Sequence, residues 1–412
     1  MRFSVALLSA WLLACTPPPR AHGPLRQQVY VWQQDWTPAV LAAVRERAAT
    51  FDRTLVLGAE VSWTGATPHV RWLPLGAAVP RDRPLGVVLR VNPLAGGLAQ
   101  PQVAAQLMAV ALELLARVRA AGLPLAELQV DYDAATAQVP AYAGWLQALR
   151  PQLHGAPLTI TALPTWVDHA GWGPLVATVD GFVLQVHALV APAGPNQPAH
   201  LCDAQAARQA VERAAETGKP FRVALPTYAY AVAFAADGHI SGLVAEGAPP
   251  SMPPGTRWQD LAAVPQELAA LVRAWTADRP RNLEAIVWFR LPVDGDARNW
   301  RWPTLQAVRA GRSPQPQLQL TAQQTAQGDV EILAANGGEA DAALPRRVLL
   351  NWPLPAHALA SDALAPYAGA PAGAGLAWLR SPQPVVLPAG ATRVLGWVRL
   401  DAPVTVEVAD EP

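Results

Sequence analysis

Through the first three-quarters of the chain, short apolar, β-branched runs alternate with longer stretches whose apolar positions recur every three to four residues. Eight runs read as strands, at 29–32, 54–58, 86–91, 127–132, 158–163, 179–186, 221–226 and 283–291. Helical spacing occupies 38–50, 102–121, 141–153, 204–217 and 261–277 between them. Thr37-Pro38 opens the first helix with an N-cap and a first-turn proline, and Gly122 with Pro124 stops the second. Strands that alternate with helices pair in parallel through crossovers. Eight such units match the size of a closed (β/α)8 barrel. An open doubly wound sheet would carry a Gly-rich loop after its first strand, where this chain reads Gln33-Gln34-Asp35-Trp36. The connections after the second and seventh strands are rich in Pro and Gly and are expected to lie over the rim.

Beyond residues 311–316 the period changes. Short alternating strands at 317–322, 330–335, 347–352, 377–379, 385–387, 392–400 and 404–408 are separated by Gly, Asn, Pro and Asp. The fold expected is α/β, a TIM-type barrel over 28–312 followed by a small antiparallel β-sandwich over 316–412. The sandwich would bind a ligand or support the barrel.

The extreme N-terminus reads differently. Arg2 precedes an apolar run over 3–14 that is too short to span a bilayer as a helix. Leu12-Leu13-Ala14-Cys15 resembles a bacterial lipobox, which implies a signal peptide over 1–15 and lipidation of Cys15. Thr-Pro-Pro-Pro-Arg then begins an extended tether over 16–27. Thr16, rather than Asp, follows the cysteine, which by resemblance to Gram-negative lipoproteins implies a periplasm-facing anchor in the outer membrane.

Composition removes several classes. Lys plus Arg number 31 and Asp plus Glu number 31, so the basic surplus of a nucleic-acid binder is missing. With Cys15 set aside only Cys202 remains, which excludes an intramolecular disulfide and any multi-thiolate metal site. No His-x-His or His-Glu-x-x-His element supports a metal through His187, Asp131 and Asp133, and neither metal nor cofactor is expected. Sixteen tryptophans are many for this length, and several fall at strand ends. Sugars offer C–H faces to such rings and hydroxyls to polar groups.

The chemistry concentrates at residues 127–134, Glu-Leu-Gln-Val-Asp-Tyr-Asp-Ala. Side chains alternate faces along a strand, so Gln129, Asp131 and Asp133 share one side while Leu128, Val130 and Tyr132 form the other. Active sites of (β/α)8 barrels are built at the C-terminal rim, where this pair of acids would stand. Asp133 is the candidate proton donor, with Asp131 orienting it and raising its proton affinity. Glu60, or Asp35, is the candidate second carboxylate. Strand ends add Trp32, Asp35, Trp36, Arg90, Trp166, Gln185, His187, Tyr228, Trp288 and Arg290 as candidate substrate contacts.

Several blocks in order resemble the bacterial domain-of-unknown-function 3142 family: Val29-Tyr30-Val31-Trp32-Gln33-Gln34-Asp35-Trp36, Leu128-Gln129-Val130-Asp131-Tyr132-Asp133, Thr161-Ala162-Leu163-Pro164-Thr165-Trp166, 179–187 and Ala224-Leu225-Pro226-Thr227-Tyr228. The similarity runs through most of 28–310 and touches the tail. A weaker resemblance is to chitinase-like glycoside hydrolases, which end the fourth strand in Asp-x-Asp-x-Glu. Gln129, Asp131 and Asp133 repeat that spacing, with Gln at the first acidic position and the shorter Asp at the last. The resemblance implies an acid role for Asp133 and a helper role for Asp131. It also implies, by strand order, a rim tyrosine at Tyr228 and a closing tryptophan at Trp288. The expectation is an envelope lipoprotein of glycoside hydrolase or transglycosylase type, acting on a cell-envelope or exported polysaccharide. The alternative is a non-catalytic glycan-binding or assembly lipoprotein.

Overall fold

The computed structural model describes residues 19–411 apart from 77–78, 80–83, 95–96, 189–191, 193, 196, 198 and 246–249. The signal peptide, Cys15 and the start of the tether lie outside the described residues. Eight parallel strands close into a barrel: β1 (Arg26–Val31), β2 (Arg53–Thr64), β3 (Leu85–Val91), β4 (Leu125–Tyr132), β5 (Leu158–Ala162), β6 (Gly181–Gln185), β7 (Phe221–Pro226) and β8 (Leu283–Phe289). Consecutive strands pair in chain order, and β8 returns to β1 with Trp288 opposite Val29. Alternation sorts the side chains into two layers. Tyr30, Leu55, Val88, Val183, Ala224 and Val287 fill the barrel interior. Their neighbours Val29, Val31, Val56, Val87, Leu89 and Ile286 pack outward in the larger core shared with the helices.

Helices Pro38–Glu46, Pro101–Ala120, Val139–Leu149, Ala204–Ala215 and Pro265–Ala277 occupy the expected segments, and Trp302–Arg309 follows β8. Thr37 caps the first helix by accepting from the Val40 N–H. The two Pro/Gly-rich connections are not plain loops. After β2 the chain returns antiparallel through Thr67–Trp72. After β7 it builds a three-stranded sheet from Ala229–Phe234, Ile240–Val244 and Arg257–Ala262. Within the segment read as a tether, Arg20–Ala21 already pairs with Arg279–Pro280, and Arg20 is ion-paired to Glu212 and Asp278. The barrel body therefore holds the chain from about Arg20, several residues before 28.

The tail forms antiparallel sheets. One joins Leu318–Gln324, Asp329–Asn336, Thr392–Leu400 and Ala358–Ala363; another joins Ala368–Gly373, Leu376–Arg380, Arg347–Asn351 and Glu407–Glu411. A short pair, Ala342–Leu344 with Val385–Leu387, completes the set. Ile332, Leu395 and Val398 of one sheet share a core with Val348, Leu350 and Leu379 of the other. That is sandwich packing. Ala358–Ala363 and Ala368–Gly373 were not foreseen, because their exposed Ala- and Gly-rich sequence has no apolar alternation.

Candidate active site

Strand β4 carries polar residues at every second position, and they form a ladder through the barrel. At the lower end the buried Glu127 accepts both guanidinium arms of Arg222, at 2.7 and 2.6 Å, a third bond from Arg53 and a fourth from the Thr159 hydroxyl. In the middle Gln129 accepts from the Tyr30 hydroxyl at 2.6 Å. At the upper end Asp131 is buried, with one oxygen accepting from Arg90 at 2.7 Å and the other from the Thr161 hydroxyl at 2.6 Å. Asp133, just past the strand, receives the second arm of Arg90 at 2.9 Å on Oδ2. Its Oδ1 is occluded and has no partner among the described residues.

One arginine thus spans both acids, while the inner acid alone has a second donor. Burial raises the pKa of Asp133, the Asp131 charge raises it further, and Arg90 opposes both without cancelling them. A carboxyl whose proton affinity is raised beside a second carboxylate has the character of a proton donor.

Glu60 joins the same row by a local irregularity in β2. The register slips between Leu57 and Ala59, at Gly58, and Glu60 then stands opposite Arg90, which in the next ladder stands opposite Asp131. Gln34 donates to one Glu60 oxygen at 2.7 Å and Asn92 to the other at 3.0 Å. Opposite these acids stands an aromatic wall. Trp32 is half-buried and meets Phe289 edge-on, 5.0 Å between centroids, and both rest on Tyr30. Phe289 in turn contacts Tyr228 and His187, each at 5.5 Å. The Tyr228 hydroxyl stands 3.5 Å from Nδ1 of His187. Burial holds His187 down to about 3, so its ring is neutral at working pH. Its Nε2 is buried without a partner among the described residues. Burial, first, and nearby charges that include Asp133 keep the Tyr228 hydroxyl protonated. The half-buried Gln185 turns its amide towards the His187 carbonyl at 3.4 Å.

Other expected contacts fall elsewhere. Trp288 is fully buried on the outward face of β8, where its indole donates to Gln27 at 2.6 Å and leans on Trp300. Trp166 lies in the short turn Pro164–Val167, buried against Tyr142, and donates to the Ala134 carbonyl. Neither ring reaches the mouth, so both are corrected to structural roles. Arg290 is likewise buried and is ion-paired to Asp296 at 2.7 Å, which ties down the loop after β8. Asp35 is exposed and ion-paired with Arg71, and Trp36 packs half-buried on the outer core. Phe289 and Thr161 were missed. Phe289 is hidden in an apolar run that shows no face, and Thr161 is known only through its bond to Asp131. Among the described residues no group of three or more His, Cys, Asp or Glu is placed to hold a metal ion.

Fold and mouth together define a (β/α)8 barrel whose C-terminal rim gathers an arginine-bridged acid pair, a third carboxylate and an aromatic wall. The chain belongs to the family described as domain of unknown function DUF3142, whose model matches residues 81–294, just over half of its length. A second family model, domain of unknown function DUF8456, matches residues 319–401. None of the curated proteins matches the chain. Among solved structures it is similar to a chitinase from Chromobacterium violaceum ATCC 12472, with 17% identity, a TM-score of 0.44, and coverage of 70% of this chain and 98% of that one. It is also similar to the spore cortex-lytic enzyme SleL of Bacillus megaterium QM B1551, with 13% identity, a TM-score of 0.48, and coverage of 72% and 76%. A third similarity is to chitinase ChiA74 from Bacillus thuringiensis, at 8% identity and a TM-score of 0.46, covering 94% of this chain and 100% of that one.

Proposed function

We propose that the protein is a glycoside hydrolase- or transglycosylase-type enzyme that acts on a polysaccharide at the C-terminal mouth of the barrel, with Asp133 as the proton donor. The observation that carries this reading is the unequal pair: Asp131 is held by two donors, while Asp133 keeps one oxygen without a partner among the described residues and a raised proton affinity. In the step proposed, the Asp133 O–H protonates the glycosidic oxygen as the bond from that oxygen to the anomeric carbon breaks. The bonding electrons leave with the oxygen. Water, or a sugar hydroxyl in the transfer reaction, then bonds to the anomeric carbon and returns a proton to Asp133. Asp131 and Arg90 hold the donor in place, and Glu60 is the carboxylate available to the incoming nucleophile. Trp32 and Phe289 would support a sugar face.

The test is Asp133→Asn assayed on a library of glycans. Cleavage should fall by roughly a hundredfold or more while binding persists. Wild-type protein that binds a glycan yet releases no product from any of them would instead establish a binding protein. We also propose that Cys15 anchors the protein to the membrane facing the periplasm. Palmitate labelling in a Gram-negative host should be lost in Cys15→Ala, and equal labelling of both would end that idea.

A further inference from the structure

We propose that the protein stands on its membrane on the lower end of the barrel, with the mouth turned away from the bilayer. This orientation rests on the anchoring of Cys15 proposed above and adds a geometry to it. Only Thr16-Pro17-Pro18-Pro19 separate that cysteine from Arg20. Five Cα-to-Cα steps reach no further than about 18 Å. From Pro19 onward the chain is fastened residue by residue. The Pro19 carbonyl accepts from the Arg281 N–H at 2.7 Å. Arg20 is ion-paired to Glu212 at 2.7 Å and to Asp278 at 2.8 Å, and Arg20 and Ala21 lie in register with Pro280 and Arg279. Nδ1 of His22 donates to the Ala277 carbonyl at 2.6 Å. Gly23 donates to the Thr276 carbonyl at 2.8 Å and accepts from the Arg279 guanidinium. No residue of 19–24 is buried, so polar contacts rather than apolar burial hold this segment. An exposed ion pair is worth little by itself. A strand pairing, two ion pairs and four further bonds over five residues leave the segment a single course across the surface.

The place of fastening decides which end faces the membrane. Glu212 is in the last turn of the helix Ala204–Ala215 that leads to β7, Asp278 follows the helix Pro265–Ala277, and Arg279–Pro280 precede β8. All three lie where the barrel strands begin, at the end opposite the rim that carries Asp133 and Phe289. Strand β8 then runs seven residues to Phe289. At about 3.3 Å per residue and a tilt of about 36°, that is roughly 19 Å along the barrel axis, before the rim loops are added. With the mouth laid against the bilayer, Arg20 would stand farther from the surface than the four-residue tether reaches. With the lower end against it, the tether spans the gap without strain. The mouth is therefore open to a polysaccharide arriving from the aqueous side. The sugar headgroup of a lipid in the anchoring leaflet does not reach it.

The experiment uses the full lipidated chain in vesicles of phosphatidylethanolamine and phosphatidylglycerol, after palmitate incorporation has been measured. The buried Cys202 is replaced by Ala, so that a dye sits on one new cysteine. That cysteine is Lys219→Cys, at the lower end just before β7, or Asp237→Cys, on the sheet that follows β7. Unchanged thermal unfolding of each variant shows that the body is intact. Energy transfer to a headgroup-labelled lipid should be several-fold stronger from position 219 than from position 237. A flexible Gly/Ser linker of about 20 residues inserted between Pro18 and Pro19 has a mean span on the order of 25 Å, enough to free the body. It should bring the two readings together with palmitate incorporation unchanged. Equal transfer from both positions at the native tether length, or stronger transfer from position 237, overturns the proposal. A difference that survives the linker overturns the tether as its cause, and release of sugar from a glycolipid carried in the same vesicles overturns the outward mouth. Absence of palmitate removes the anchor and this orientation with it, and the labelling tells that result from the others. None of these outcomes bears on Asp133, whose chemistry is read on glycans in solution.

Discussion

Replacing Glu127 by Gln tests whether the lower end of the β4 ladder is a structural clamp rather than part of the chemistry. Burial alone would raise the pKa of this carboxylate. The Arg222 charge and its two bonds, the Thr159 hydroxyl and Arg53 together overcome that and bring it from 4.5 to about 2. A drop of that size corresponds to roughly 3 kcal/mol of stability at neutral pH. Breaking a buried pair from one side gives a similar figure by an independent route, about 3–5 kcal/mol, since Arg222 would stay buried with its charge uncompensated. Because the folded-state value is depressed, this stability is fully present above the unfolded value. It is lost as pH falls through the folded one. Urea unfolding of wild type and Glu127→Gln should therefore differ by about 3 kcal/mol at pH 7, and by less than half of that near pH 3. A gap below about 1 kcal/mol at pH 7, or one that stays constant between those conditions, would refute the clamp.

Arg90→Gln removes the cation that opposes protonation of Asp133, so the alkaline limb of glycan cleavage should move to higher pH. A raised folded-state pKa stabilises only below the unfolded value, so this variant should lose more stability at pH 7 than at pH 4, by up to about 3 kcal/mol; an unmoved pH–rate profile would argue against Asp133 as the acid. Trp288→Phe should cost about 2 kcal/mol through the lost bond to Gln27 and the space left behind, with glycan affinity unchanged. Trp32→Ala should do the reverse, weakening glycan binding several-fold with a smaller loss of stability, and matching losses of affinity in both variants would contradict the placement of these rings.

The barrel was legible because its strands are buried on both sides and its helices on one, so their periods differ. Strand β7 at Phe221–Pro226 coincides with the run read from sequence, and β4 declares its inner face through Gln129 and Asp131. Strand β8 was harder. Its run from Leu283 to Phe289 is apolar at nearly every position, so hydropathy cannot say whether Trp288 or Phe289 faces the barrel axis. The one polar residue within it, Glu284, does not settle the parity, because the ladder to β7 is irregular between Leu283 and Ala285. Glu284 is exposed and paired with Arg26 at the lower end of the barrel, beside Glu127, Arg53 and Arg222. The register decides the matter instead. Trp288 stands opposite Val29 of β1 and Leu225 of β7, which pack in the outer core, and residues opposite each other on neighbouring strands share a face. Trp288 therefore points outward, and Phe289, two positions beyond Val287, is carried into the mouth. The aromatic wall of the candidate site thus follows from strand pairing across the closure of the barrel, a link that no local motif contains.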